Sequence, residues 1–162
     1  MVFQLKENIE AENWINDILG ASLEGEKYLT FEVLNEYYAI SILKVKEIIG
    51  MTKITKIPNL PKYIKGVINL RGEIVHVIDI REKFGIEKKE YNKFTVIIIL
   101  ETADGLVGFV VDQVVDVINI KEEKIQKVIE IEGMIGNEYL EGMIKEGDEL
   151  IVIINVEKLI TR

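Results

Sequence analysis

The sequence predicts a mainly β protein made of two packed five-stranded β-barrel subdomains, SH3-like or OB-like, with short helices and a duplicated pattern. Three observations predict this fold. Strand-forming runs follow one another between tight turns from residue 28 onward. The second half of the chain can be laid over the first. Several strands are apolar on both faces, so each must be covered on both sides.

The first 25 residues differ from the remainder and are predicted to form an N-terminal arm. Ile15, Ile18 and Leu19 recur at helical spacing, so the arm is either a short amphipathic helix or a loosely held segment. The β domain is predicted to occupy residues 26–162.

The first half of the domain is predicted to contain five strands and a short helix. The strands are Tyr28–Leu34, Tyr37–Ile42, Val45–Met51, Ile64–Leu70 and Glu73–Ile80, and the helix is Asp79–Phe84. Pro58 and Pro61 are the only prolines and fall between the third and fourth strands. Because proline has no backbone N–H group to donate, it cannot sit inside a central strand, so this stretch is predicted to be a loop.

The second half repeats this order after a polar connector over residues 86–93. Its predicted strands are Phe94–Glu101, Leu106–Val111, Val114–Ile120, Tyr139–Lys145 and Glu149–Ile154, and its helix is Asn155–Ile160. A long loop containing Gly133 and Gly136 separates the third strand of this half from the fourth.

Two pairs of segments carry the duplication. Residues 63–84 align with 139–160, and residues 39–49 align with 108–118, in each case without a gap. We infer two copies of one unit, with a first barrel at about 27–85 and a second at about 93–160. Strand periodicity alone could produce the same overlay.

The strand Val96–Leu100 is apolar at every position, which a barrel standing alone does not require. We therefore expect the two barrels to share a core and to leave a groove along their junction. The segment Ile74–Ile80, apolar except at His76 and Asp79, is expected to border that groove.

Composition argues against several classes of protein. The chain has 162 residues, no cysteine and a net charge of −8, which disfavours disulfides, thiolate metal sites and binding to nucleic acid or anionic membranes. The longest apolar run has five residues, far fewer than a membrane span needs, and no export signal is visible. These features predict a soluble cytoplasmic protein. Abundant Ile, Lys and Glu suit a thermophilic source.

Catalytic constellations are almost absent. His76 is the single histidine, lies mid-strand and has no serine nearby. No glycine-rich phosphate cradle or metal-binding Asp-x-Asp loop is present, and Gly133-Met-Ile-Gly136 is only a weak match to a nucleic-acid-binding loop. The sequence therefore predicts a protein that is not an enzyme and that uses neither a metal nor another cofactor.

The hairpin tips of the two repeats differ most. The first tip is Asn69-Leu-Arg-Gly72, with an apolar side chain beside a cation, whereas the second, Lys145-Glu-Gly-Asp148, is fully polar. An Arg next to a Leu suits a protein–protein contact. The alternative is a small-barrel module that binds oligosaccharide or single-stranded nucleic acid, which would need exposed aromatic residues and, for nucleic acid, positive charge.

Four ordered segments resemble the CheW family of bacterial chemotaxis coupling proteins. The segments are residues 38–49, 59–84, 107–117 and 150–159, and the resemblance extends over about residues 27–160. It implies two five-stranded barrels and a non-catalytic adaptor that bridges methyl-accepting chemoreceptors and the chemotaxis histidine kinase in arrays. The adaptor would be cytoplasmic and would reach the membrane only through these partners.

The same resemblance implies where partners bind. The receptor's cytoplasmic tip would lie in the groove between the barrels, near the charged pair Glu47 and Arg71. The kinase's regulatory domain would contact the loop around Gln126 and Ile131. Further receptor-side residues implied by position are Val45, Gly66, Gly72 and Val117. His76 departs from the family pattern, in which many members carry Pro.

Overall fold

The computed structural model describes residues 25–61, 63–83, 90–127 and 139–160, which form ten strands. The first five are β1 (Glu26–Val33), β2 (Glu36–Ser41), β3 (Val45–Gly50), β4 (Ile64–Leu70) and β5 (Glu73–Asp79). The second five are β6 (Val96–Thr102), β7 (Gly105–Val111), β8 (Gln113–Ile120), β9 (Leu140–Glu146) and β10 (Glu149–Ile154). Each lies within two residues of its predicted bounds.

Short helices complete the fold. Helix α1 (Ile80–Lys83) follows β5 and helix α2 (Val156–Ile160) follows β10, as predicted at both places. A 3-10 turn, Ile42–Lys44, joins β2 to β3, and another, Glu122–Lys124, follows β8. The predicted arm (apart from Gly25), Ile131 and the Gly133–Gly136 loop lie outside the described residues.

The strands form two five-stranded sheets. One has the order β3-β6-β7-β5-β4 and the other the order β8-β1-β2-β10-β9. Each sheet curls until its edges meet, because Thr55 after β3 pairs with Val67 on β4, and Gln126 after β8 pairs with Met143 on β9. The predicted pair of five-stranded barrels is therefore confirmed.

The predicted boundaries of the barrels are wrong. One barrel consists of β3–β7, which are consecutive in the chain; we call it the continuous barrel. The other, which we call the split barrel, takes β1 and β2 from the first half and β8–β10 from the second. The predicted units, about 27–85 and 93–160, thus each contribute strands to both barrels. Because the two repeats have similar strands, a hairpin from either half fits beside the last three strands of the other.

The duplication itself is visible in the strand pairing. In the continuous barrel, β5 pairs antiparallel with β4 and parallel with β7; in the split barrel, β10 pairs antiparallel with β9 and parallel with β2. The order β3-β6-β7-β5-β4 becomes β8-β1-β2-β10-β9 when each strand is replaced by its counterpart in the other half. The two barrels are therefore equivalent copies with exchanged first hairpins.

The buried apolar residues form three clusters. One lies inside the continuous barrel, one inside the split barrel, and the largest contains residues of both barrels. The apolar run Val96–Leu100 in β6 faces two clusters. Ile97 and Ile99 belong to the cluster inside the continuous barrel, whereas Val96, Ile98 and Leu100 belong to the shared one. The expectation of a common core between the barrels is met.

Candidate docking site

Glu47 and Arg71 come together although β3 and β4 lie at opposite edges of the sheet that forms the continuous barrel. Glu47 is on β3, and Arg71 is in the turn between β4 and β5. Closure of the barrel brings the β4–β5 tip over β3, where Arg71 Nη2 donates a hydrogen bond to Glu47 Oε1. The predicted charged pair is thus a direct ion pair.

The two partners of this pair differ sharply in exposure. The Glu47 side chain is 3% exposed and the Arg71 side chain is 62% exposed. The second carboxylate oxygen of Glu47, Oε2, is buried without a hydrogen-bond partner among the described residues. An exposed guanidinium anchored to a buried carboxylate is held in place, yet it still presents donors to an incoming protein.

The turn that carries Arg71 has a backbone suited to Gly and Asn. Arg71 has φ +50° and Gly72 has φ +92°, and the Gly72 amide donates to Asn69 Oδ1 at 2.8 Å. Two successive residues with positive φ give the tight hairpin twist that joins antiparallel strands. A side chain added at Gly72 would meet open space, so this tip is accessible to a partner.

Gly66 has a role inside the fold. Its φ is +148°, and a Cβ atom there would lie 2.2 Å from the Thr55 carbonyl oxygen. The Thr55–Val67 bridge that closes the continuous barrel therefore needs glycine at this position. Gly142 holds the matching place in the split barrel, where a Cβ would lie 2.5 Å from an Ile125 methyl group.

The predicted valines lie at the margin of the shared apolar cluster, on different barrels. Val45 begins β3 and is 8% exposed. Val117 is on β8, pairs with Leu29 and packs, half-buried, against the same cluster. Gln126 lies elsewhere on the split barrel. Its backbone N–H donates to the Met143 carbonyl oxygen, and the Met143 N–H donates to the Gln126 carbonyl oxygen, each at 2.8 Å.

Exposure changes along β5, from a buried residue in the shared cluster to exposed residues near the start of the strand. Ile78 is buried in the shared cluster, His76 is exposed, and Ile74 is 57% exposed. The counterpart of Ile74 in the split barrel, Leu150, is 56% exposed. Both barrels thus present an apolar side chain at the start of the same strand.

A buried charged network escaped the sequence analysis. Arg81, 1% exposed, donates from Nε to Asp79 Oδ1 at 3.1 Å, from Nη2 to Asp79 Oδ2 at 2.9 Å, and from Nη1 to Asp112 Oδ1 at 3.4 Å. The Tyr91 hydroxyl donates to Asp79 Oδ2 at 3.1 Å, and the Arg81 guanidinium lies over the Tyr91 ring. The two charged residues of Asp79-Ile-Arg81, at the end of an apolar strand, are the sequence feature that could have predicted this network.

This network shifts the ionisation of its members. Burial raises the pKa of Asp79, but the hydrogen bonds and charge of Arg81 outweigh burial, so the net pKa lies below its ordinary value. Burial, followed by the charge of Asp79, raises the pKa of Tyr91 to about 12. At neutral pH the network therefore contains ionised Asp79 and Arg81 and a neutral tyrosine.

Metal-ligand clusters and membrane-length helices are both absent from the described part of the chain. No group of three or more His, Asp or Glu side chains in it could hold a metal ion. None of its helices has the length and apolar character needed to cross a bilayer.

Comparisons with known proteins identify the kind of domain. Residues 27–162 match the CheW-like domain. The chain is 41% identical over 143 residues to a chemotaxis protein CheW of Klebsiella aerogenes, covering 88% of this chain and 86% of that protein. It is 36% identical to the chemotaxis protein CheW of Bacillus subtilis, covering 85% and 88%. The crystal structure of a scaffolding protein CheW from Thermoanaerobacter tengcongensis superimposes with a TM-score of 0.79 at 37% identity, covering 85% of this chain and 94% of that one.

Proposed function

This chain belongs to the CheW-like family, and we propose that it is a non-enzymatic adaptor that couples methyl-accepting chemoreceptors to the chemotaxis histidine kinase in signalling arrays. In this role it works in the cytoplasm and reaches the membrane only through its partners. It needs neither a metal nor another cofactor, because its task is to hold two proteins together.

The observation that carries this proposal is the Glu47–Arg71 pair at the β4–β5 tip of the continuous barrel. Arg71 is exposed on a well-defined turn while its ion-pair partner Glu47 is buried, so the guanidinium is held at a defined place on the surface. Gly72, beside it, leaves open space. Together with Val45 and Val117 at the margin of the shared cluster, these residues form the receptor-binding surface that we propose.

The receptor's cytoplasmic tip, a helical hairpin, suits such a surface. An amphipathic helix binds by laying apolar side chains along a groove, while a charged group at the edge fixes its orientation. The kinase's regulatory domain would bind elsewhere, at the segment around Gln126 and onward to Ile131. Gln126 is exposed on the split barrel, away from the Glu47–Arg71 pair on the continuous one.

A double substitution, Glu47→Gln with Arg71→Gln, tests the receptor surface. Arg71 is not replaced alone, because that would leave the buried Glu47 carboxylate unpaired and destabilise the fold. We expect binding of a receptor signalling fragment to weaken about tenfold to a hundredfold, while binding of the kinase regulatory domain is unchanged. Isothermal titration calorimetry with each partner measures both affinities.

Lys145→Gln is the matched control, because Lys145 lies at the equivalent hairpin of the split barrel and is exposed. It should bind both partners like the unaltered chain. Equal receptor affinity in the double variant would refute the assignment of the surface. Binding of neither partner by the unaltered chain would refute the adaptor function itself.

A further inference from the structure

The chain crosses between the two barrels at two equivalent places. It leaves the split barrel after β2 through the turn Ile42–Lys44, and it returns after β7 through Asp112. The alignment of residues 39–49 with 108–118 places Leu43 opposite Asp112. Leu43 is 71% exposed, whereas Asp112 is 8% exposed. The two crossings are therefore built differently.

Asp112 bonds both barrels at once. Its amide donates to the Glu32 carbonyl oxygen at 3.0 Å, and its Oδ2 accepts from the Leu34 amide at 2.7 Å. Both partners lie at the β1–β2 end of the split barrel. Its other carboxylate oxygen, Oδ1, accepts from Arg81 Nη1 at 3.4 Å. Arg81 lies in helix α1, directly after strand β5 of the continuous barrel.

Arg81 is itself immobilised. Asp79 binds its guanidinium through two oxygens and also accepts from its backbone amide at 3.0 Å. The Tyr91 ring covers one face of the guanidinium, with 5.2 Å from Cζ to the ring centroid. A hydrogen bond from such a donor fixes direction as well as distance, because the donor cannot turn to follow a displaced acceptor.

At the other crossing, Ile42 is buried in the shared apolar cluster, and the side-chain ion pair lies at the surface. Lys44 Nζ lies 3.0 Å from Glu157 Oε2, and both side chains are 42% exposed. An ion pair in contact with solvent holds two flexible side chains weakly. The ion pair at this crossing therefore fixes direction less well than the buried hydrogen bonds of Asp112.

We propose that Asp112 is a positioning residue that sets the relative orientation of the two barrels, and thereby the shape of the groove in which a partner docks. The hydrophobic attraction within the shared cluster has no preferred direction, so hydrogen bonds between the barrels add a directional restraint to it. The hydrogen bonds of Asp112 to Leu34 and to Arg81 supply that direction. Only the consequence for docking rests on the proposed function.

Asp112→Asn tests this assignment. The amide oxygen can still accept from the Leu34 N–H, but the carboxylate that accepts from Arg81 is lost. We expect the residual dipolar couplings of each barrel to fit that barrel's own coordinates, while the orientation between the barrels changes by several degrees. Affinity for the receptor signalling fragment should fall about fivefold to tenfold.

Glu157→Gln, which weakens the ion pair at the other crossing, is the control and should leave both orientation and affinity unchanged. If Asp112→Asn does not fold, Asp112→Glu serves the same test, because it keeps the charge but displaces the oxygens by one methylene. An unchanged orientation between the barrels overturns the proposal, and so does a changed orientation with unaltered receptor affinity. Failure of the unaltered chain to bind the receptor fragment contradicts the proposed function, and the dipolar couplings still decide the role of Asp112 in orientation.

Discussion

Two buried carboxylates of the continuous barrel have arginine partners, but their surroundings differ. Among the described residues, Glu47 has a hydrogen bond to one of its two carboxylate oxygens, and its arginine partner is largely exposed. Asp79 has both oxygens bonded, to an arginine that is fully enclosed. A buried charge with all its hydrogen bonds satisfied fixes local structure, whereas one that depends on an exposed partner can respond to what binds nearby. Asp79 therefore fixes local structure, and Glu47 has the surroundings that the proposed recognition role requires.

Asp79 should make the stability of the fold depend on pH on the acid side. Its pKa in the folded chain lies below the ordinary value, so its contribution is complete at neutral pH and above the unfolded value of about 3.9. That contribution should be lost as the pH falls below this value through the lower folded pKa. Urea unfolding between pH 7 and pH 2 measures the effect.

The comparison for this measurement is Asp79→Asn. It should be less stable than the unaltered chain at pH 7, and the difference in unfolding free energy should shrink as the pH approaches 2. A difference that stays constant over this range would show that the ionisation of Asp79 does not contribute.

At the scale of elements, closure of each sheet depends on one glycine facing one strand extension. Gly66 allows Thr55 to pair with Val67, and Gly142 allows Gln126 to pair with Met143. The two glycines occupy equivalent places in the repeat. Without these pairs, β3 and β4 would remain open sheet edges, as would β8 and β9.

Gly66→Ala should therefore lower the free energy of unfolding much more than Gly72→Ala does. At Gly66 the added methyl meets the Thr55 backbone and the φ of +148° is strained, so we expect a loss of more than about 3 kcal/mol of unfolding free energy. At Gly72 only the φ of +92° is unfavourable, and the expected loss is about 1 to 2 kcal/mol. Equilibrium unfolding in urea measures both, and equal losses would contradict the importance of the close approach.

The sequence predicted the elements well and their partners poorly. Alternation and turn residues located every strand, and the all-apolar run in β6 correctly required apolar neighbours on both faces. Nothing local in β1 or β2 specifies whether they pair with the strands of their own half or of the other, because the repeats offer similar partners. The hydrogen bonds of Asp112 likewise depend on contacts 31 and 78 residues away, which periodicity does not encode.

For the candidate site, the pairing of Glu47 with Arg71 could be predicted only through the resemblance to a family. Their separation of 24 residues is unremarkable in the sequence, and barrel closure brings them together. The contrast between the two hairpin tips did single out Arg71. The close packing of Gly66 against Thr55 could not be foreseen, because it depends on the path of a loop without regular structure.

At the scale of the whole molecule, the segment that forms one barrel is inserted in the sequence between the strands of the other. The continuous barrel comprises β3–β7, and the strands of the split barrel lie on either side of it in the chain. The two share their largest apolar cluster, in which Ile98, Leu100 and Phe109 are fully buried. Neither barrel can leave the other without exposing this surface to water.

Two fragments distinguish this arrangement from a division into sequential halves. A fragment of residues 45–111 contains every strand of the continuous barrel and its internal cluster, so it should give a β-type circular dichroism spectrum and bind a hydrophobic dye through its uncovered face. A fragment of residues 27–85 lacks the partner strands of both its sheets and should remain unfolded. Cooperative folding of the 27–85 fragment alone would contradict the observed pairing.

The insertion also has a consequence for biosynthesis. The β1–β2 hairpin leaves the ribosome first, but its neighbours β8 and β10 are made only after the whole intervening barrel. At cellular rates of translation, the roughly 70 residues between β2 and β8 delay the pairing with β8 by about 4 to 14 s, and β10 is made later still. The apolar β1–β2 hairpin must therefore stay soluble in the nascent chain until its partner strands have been made. Chaperones could bind it during that interval.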